Sequence, residues 1–161
     1  MNALPVIPDV KFWLACGFGT SLLALSWIDI RHLILPDALT LPLVAAGLAW
    51  CAWTTPGLLP AHAAGAAAGY ISFRLVASAY RHFRHRDGLG EGDAKLAAAA
   101  GAWVAWEGLP SVILLAAIAG LLVIAVIALV RRRLDPRMPI PFGPCLALGL
   151  WMTWLHGPLS L

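Results

Sequence analysis

The sequence predicts an all-α integral membrane protein of about six transmembrane helices, folded as a single domain over residues 1–161. Three observations carry this. Hydrophobic residues make up 61% of the chain and charged residues 12%, about half the ~25% charge of a soluble domain. The mean hydropathy is +0.83. The apolar residues also fall into runs separated by prolines and short arginine clusters, the pattern of membrane spans and topology signals. A water-soluble fold of this composition would lack polar surface to cover itself, and disorder requires the opposite composition. Cys16, Cys51 and Cys145 are too few and too scattered for a disulfide scaffold. They read as small buried hydrophobes.

Crossing the hydrocarbon takes roughly 20 apolar residues, within a range of about 17–25. The first run is 12–28. It is long for a signal-peptide core and no Ala-x-Ala site follows, so it reads as an uncleaved span. The second run, 38–54, lies between Pro36 and Pro56. The third, 62–79, is rich in Ala and Gly; the fourth, 94–106, is short and small-sided. The fifth, 112–130, carries no charge, and the sixth, 146–155, is extended by Pro144 and Cys145. Short spans serve where the bilayer thins or the flanks snorkel. The eight tryptophans lie near run ends, as interfacial anchors do.

The net charge is +3, and its distribution sets an expected orientation. Arg31 follows the first run; Arg81, Arg84, Arg86 and Lys95 follow the third; Arg131, Arg132, Arg133 and Arg137 follow the fifth. The opposite loops carry only Lys11, and Arg74 lies inside the third run with no evident role. Loops rich in Lys and Arg stay cytoplasmic, which puts both termini outside. Basic clusters confined to these loops argue for a lipid-embedded chain and against nucleic-acid binding.

Acidic residues are rare, and at membrane depth they are costly and usually functional. Asp29 directly follows the first run and Asp93 begins the fourth, so the expected topology brings both to the cytoplasmic border. Each has a plain structural alternative: a solvated helix end beside Arg31 for Asp29, and an N-cap for Asp93. Asp37 follows Pro36 and reads as the N-cap of the second helix. Asp87 and Glu91 read as loop carboxylates balancing Arg84 and Arg86, and Glu107 and Asp135 as interfacial groups. Asp93 sits in Gly88-Leu89-Gly90-Glu91-Gly92-Asp93-Ala94-Lys95-Leu96. Glycines permit positive φ and close approach of a second chain, as a bound peptide requires. A phosphate cradle fits poorly, because no Gly-Lys-Ser/Thr follows and Glu91 and Asp93 repel phosphate. Two close carboxylates sharing a proton can activate water and protonate a leaving nitrogen. Ser21, Ser26, Ser72, Ser78, Ser111 and Ser160 lack a Gly-x-Ser context for serine catalysis. His32, His62, His82, His85 and His156 read as solvated interface groups.

Three blocks in order extend this reading: residues 28–37 running into Leu39-Thr40-Leu41-Pro42; residues 90–96 followed by Gly101-Ala102-Trp103; and Pro139-Ile140-Pro141-Phe142-Gly143-Pro144-Cys145-Leu146-Ala147. With these the chain resembles the bacterial type IV prepilin peptidases, membrane aspartic proteases of the GxGD type. The resemblance implies the GxGD aspartic protease fold and removal of the basic leader from type IV prepilins or type II secretion pseudopilins at the inner membrane. It places the two catalytic aspartates on Asp29 and Asp93. Gly90 and Gly92 match the loop glycines. Asp37, Lys95 and Pro141, Phe142, Gly143 and Pro144 match positions of structural or substrate-positioning role. Asp37, Asp87 and Glu91 stand as local acids for a basic leader. Many members carry an additional cysteine-rich region with Cys-x-x-Cys pairs, linked to N-methylation of the cleaved pilin. No such pair occurs here, so the resemblance implies a peptidase without methyltransferase activity, metal or cofactor. A lipoprotein signal peptidase also uses two aspartates, but with other signatures and on the opposite face. A small transporter or pilus-assembly scaffold explains the acids as proton relays but not the glycine loop.

Overall fold

The computed structural model describes residues 8–84, 90–131 and 141–159, and among these there are helices and no strand. The helices are α1 (Pro8–His32), α2 (Asp37–Thr54), α3 (Leu59–Arg84), α4 (Glu91–Arg131) and α5 (Gly143–His156), with one 3-10 turn (Pro56–Leu58) between α2 and α3. All six apolar runs fall within helices, the fourth and fifth sharing α4. By length and composition α1, α2 and α4 suffice to cross a membrane; α5 has 14 residues.

α4 is the centre of the fold, packing against α2, α3 and α5, while α1 packs mainly on α5. It is one element with a break. At Ala105 the backbone leaves the helical region, with φ 58° and ψ −176°. Pro110 lies five residues on, and a proline ring clashes with the carbonyl four residues before it, here that of Trp106. An alanine in this near-glycine-only region costs about 1–3 kcal/mol, so tertiary contacts must hold it. They come from α3. A Cβ on Gly65 would lie 2.7 Å from the Ala105 carbonyl carbon and the Trp106 nitrogen. A Cβ on Gly101 would in turn fall inside the Gly65 backbone, and one on Gly69 would strike the Ala97 carbonyl. Gly65-x-x-x-Gly69 thus faces Ala97-x-x-x-Gly101. Small residues four apart let two helices approach closely, which in lipid is a main source of helix association. The His62 Nδ1 bonds the Ala102 carbonyl at 2.8 Å across the same junction, so His62 ties two helices together and is not the solvated group expected.

The tryptophans divide. Trp13, Trp27, Trp53 and Trp106 are exposed, as anchors are. Trp103 is buried, stacked on Phe18 with ring centroids 4.1 Å apart, and its Nε1 donates to the Leu43 carbonyl at 2.9 Å. Trp151 and Trp154 also pack on this core. These three hold helices together; a buried indole N–H needs a partner, and Trp103 finds one on α2. Cys51 and Cys145 are buried, but Cys16 is exposed on α1, against the expectation for all three.

Candidate active site

α1 ends at His32, three residues beyond Asp29. Leu33 turns into the left-handed region with φ 55°, and its N–H closes the last turn on the Asp29 carbonyl at 2.8 Å. The chain then reverses through Pro36 into α2. This leaves Asp29 at the inner edge of a helix end and only 6% exposed. Arg31 points elsewhere, its guanidinium 4.6 Å over the Trp27 ring. Asp29 is therefore not a solvated partner of Arg31. Its Oδ2 accepts the Gly143 N–H at 2.9 Å, from the first residue of α5.

Asp93 is the third residue of α4 and 9% exposed. Its Oδ2 accepts the Gly90 N–H at 3.3 Å, while its own N–H donates to the Gly90 carbonyl at 3.2 Å. This reciprocal arrangement resembles a capping box, so Asp93 does cap α4, from the third position and with its side chain turned back. Asp29 lies close enough to act electrostatically on Asp93. The end of α1 and the starts of α4 and α5 thus converge on two buried carboxyls.

Leu35 fills the space at Gly92, where a Cβ would come within 2.6 Å of the Leu35 Cβ. Among the described residues the one glycine with positive φ is Gly157. Gly92 therefore makes room for a neighbouring segment of the same chain rather than supplying an unusual backbone. Asp37 is the first residue of α2, whose N-cap is Pro36 with no side-chain bond. The Asp37 carboxylate pairs with Lys95 Nζ instead, tying the first turn of α2 to α4 two residues past Asp93. Glu91 is the first residue of α4, not a loop acid, and it pairs with Arg74 of α3. Two of the three acids expected to meet a basic leader are thus engaged within the protein, and Asp87 lies outside the described residues. Exposed ion pairs contribute only about 0–1 kcal/mol, so these two set helix register more than stability. Pro144 occupies the first turn of α5, where its fixed φ suits a helix start. Phe142 sits half-buried, 6.4 Å from the Phe73 ring. Next to the Asp29–Gly143 contact an apolar cleft of about 310 Å³ opens between α1 and α5, lined by Leu22, Ser26, Pro144, Leu148 and Trp151 among others. Among the described residues no three His, Cys, Asp or Glu side chains are grouped to hold a metal ion.

The profile of the type IV leader peptidase family matches residues 16–125, a stretch that contains both aspartates. The chain belongs to the type IV leader peptidase family. A protein of Burkholderia pseudomallei (strain K96243) named prepilin leader peptidase/N-methyltransferase is 46% identical over 143 residues, 89% of this chain and 46% of its own length. Proteins of the same name from Pectobacterium carotovorum subsp. carotovorum and Aeromonas hydrophila are 41% and 38% identical, over 89% and 92% of this chain and 51% and 53% of their own lengths. The chain spans about half the length of the curated relatives it matches. No solved structure matches it.

In this leader peptidase family member, two site features escape sequence reasoning. The resemblance gives Gly143 a structural or substrate-positioning role without saying what it touches; its amide contacts Asp29, and a bond between residues 114 apart leaves no local signal. Arg74 has no evident role until its partner Glu91 is seen. The Gly65-x-x-x-Gly69 spacing was a usable signal for close helix packing. Gly88, Leu89, Pro139, Ile140, Asp135 and the arginines 86, 132, 133 and 137 lie outside the described residues.

Proposed function

We propose that this chain is an aspartic endopeptidase that cleaves the basic leader from type IV prepilins or type II secretion pseudopilins, with Asp29 and Asp93 as the catalytic pair. One observation supports the reading: two buried carboxyls, near the end of α1 and the start of α4, lie close enough to act on each other electrostatically. One carboxylate takes a proton from water as the water oxygen attacks the scissile carbonyl; the other, protonated, gives its proton to the leaving nitrogen. The two titrate as a unit, and the pH–rate profile is bell-shaped. The reading needs no metal and no cofactor. It covers cleavage alone.

The pair works at the cytoplasmic face of the inner membrane in this reading, in a six-span fold of the GxGD type with both termini outside. The clustering of basic residues beyond the first, third and fifth apolar runs supports that orientation. A prepilin crosses the same border, leader inside and apolar segment in the membrane. Gly90 and Gly92 shape the start of α4 around Asp93 and Leu35, and the Asp37–Lys95 pair ties α2 to α4. Pro144 borders the apolar cleft, while Pro141 and Phe142 lead into α5, with Phe142 beside Phe73 of α3.

The test is co-expression of a prepilin with the protein and with its Asp29→Asn and Asp93→Asn variants. Leader loss, read as a gel shift, is expected only with the unmodified protein. Cleavage by either variant at the rate of the unmodified protein, at equal membrane content, overturns the pair.

A further inference from the structure

We infer that the backbone amide of Gly143 is a positioning group for Asp29: it fixes Oδ2 and leaves Oδ1 as the oxygen that meets water. The inference rests on the proposed catalytic pair and gives a specific form to the structural or substrate-positioning role that the resemblance implies for this glycine.

The geometry has three parts. The Gly143 N–H donates to Asp29 Oδ2 at 2.9 Å, with both residues buried. No side chain caps α5, whose N-cap is Phe142, so this carboxylate meets one of the N–H groups that a helix start leaves unbonded. The approach also leaves no space: a Cβ at position 143 would lie 2.7 Å from Asp29 Oδ2 and 3.0 Å from its Cγ. Glycine is required here by proximity to a carboxylate, since its φ is not in the positive range. An amide anchored in α5 holds one oxygen of a side chain carried on α1. The α1–α5 contact thereby decides how Asp29 faces Asp93, whereas Asp93 takes its own amide bond from its own turn.

Gly143→Ala is expected to push the Asp29 carboxyl aside. Misplacement of a reacting group by about 1 Å costs around 10²-fold in rate, so kcat should fall about 10²-fold with KM unchanged and a displaced limb of the pH–rate profile. Gly17→Ala lies on the same helix as Asp29 with nothing within 4 Å of its added Cβ, and it should cleave like the unmodified protein. A Gly143→Ala protein with normal kcat and a superimposable pH profile overturns the inference, as does a loss confined to KM.

A second measurement does not depend on how that variant folds. In the full chain, labelled on glycine and held in detergent micelles, the Gly143 amide resonance should move with pH as Asp29 titrates. Among the described residues, the other titratable groups in electrostatic contact with Asp29 are Asp93 of α4 and Cys145 of α5. The movement should therefore survive in Asp93→Asn and vanish in Asp29→Asn. A Gly143 resonance indifferent to Asp29→Asn overturns the inference. Cleavage by Asp29→Asn at the rate of the unmodified protein overturns the catalytic pair instead, and the amide titration still reports whether Gly143 holds Asp29.

Discussion

The two arms of α4 have the same secondary structure and opposite environments. From Asp93 to Ala105 nearly every residue is buried, most of them alanine or glycine. From residue 117 to residue 130 none is buried, and the sequence turns to leucine, valine and isoleucine. In water the larger apolar residues would be the ones inside. In lipid, burying an apolar side chain against protein gains little over leaving it in hydrocarbon, and packing is won by small residues that let backbones meet. Hydropathy therefore locates the arms and residue size tells which faces protein. The break at Ala105 lies near the boundary between them.

The predictions test that contrast. The largest effect belongs at the buried end of the first arm, where Asp93→Asn should lower kcat by about 10²–10⁴-fold, the range for a general acid–base group, in a single-turnover cleavage assay. Preserved turnover would reduce the buried arm to scaffold. Next is Gly101→Leu, whose side chain would enter the Gly65 backbone. Overpacking costs about 1–3 kcal/mol, and the variant should unfold at clearly lower temperature in detergent. An unchanged melting temperature would show that the α3–α4 approach is looser than drawn. Lys95→Met should cost no more than about 1 kcal/mol of stability and slow cleavage modestly, with the exchanged pair Asp37→Lys and Lys95→Asp recovering rate relative to either single change. Failure of the exchange to recover any rate would mean that the pair does not act by holding α2 to α4. The smallest effect is expected on the second arm: Leu122→Ala, 62% exposed, should stay within about 0.5 kcal/mol of the parent. A large loss there would reveal a protein contact on a face assigned to lipid.

The pattern of apolar runs was legible because span length and hydropathy are local properties, and every run lies in a helix. The position of both aspartates at helix ends was legible for a related reason, since a charge beside an apolar run has few other places to be. What depended on a second chain segment was not. Nothing in the sequence placed the break at Ala105, because the residue packed against it is Gly65 of a different helix. Trp103 looked like its exposed counterparts until Phe18 and the Leu43 carbonyl were found around it. Asp37 looked like a cap because Pro36 precedes it; that its carboxylate turns to Lys95 is set by where α4 lies.

The bond between Gly143 and Asp29 also bears on how an inert form of the protein should be made. An asparagine at position 29 keeps a carbonyl oxygen within reach of the Gly143 amide. The joint between α1 and α5 can then survive the loss of chemistry, leaving a form fit to capture uncut substrate. An alanine there removes the acceptor altogether and strands a buried N–H, a penalty of about 1–3 kcal/mol. The alanine form mixes lost chemistry with a loosened scaffold, so for trapping experiments the asparagine form is the sounder choice.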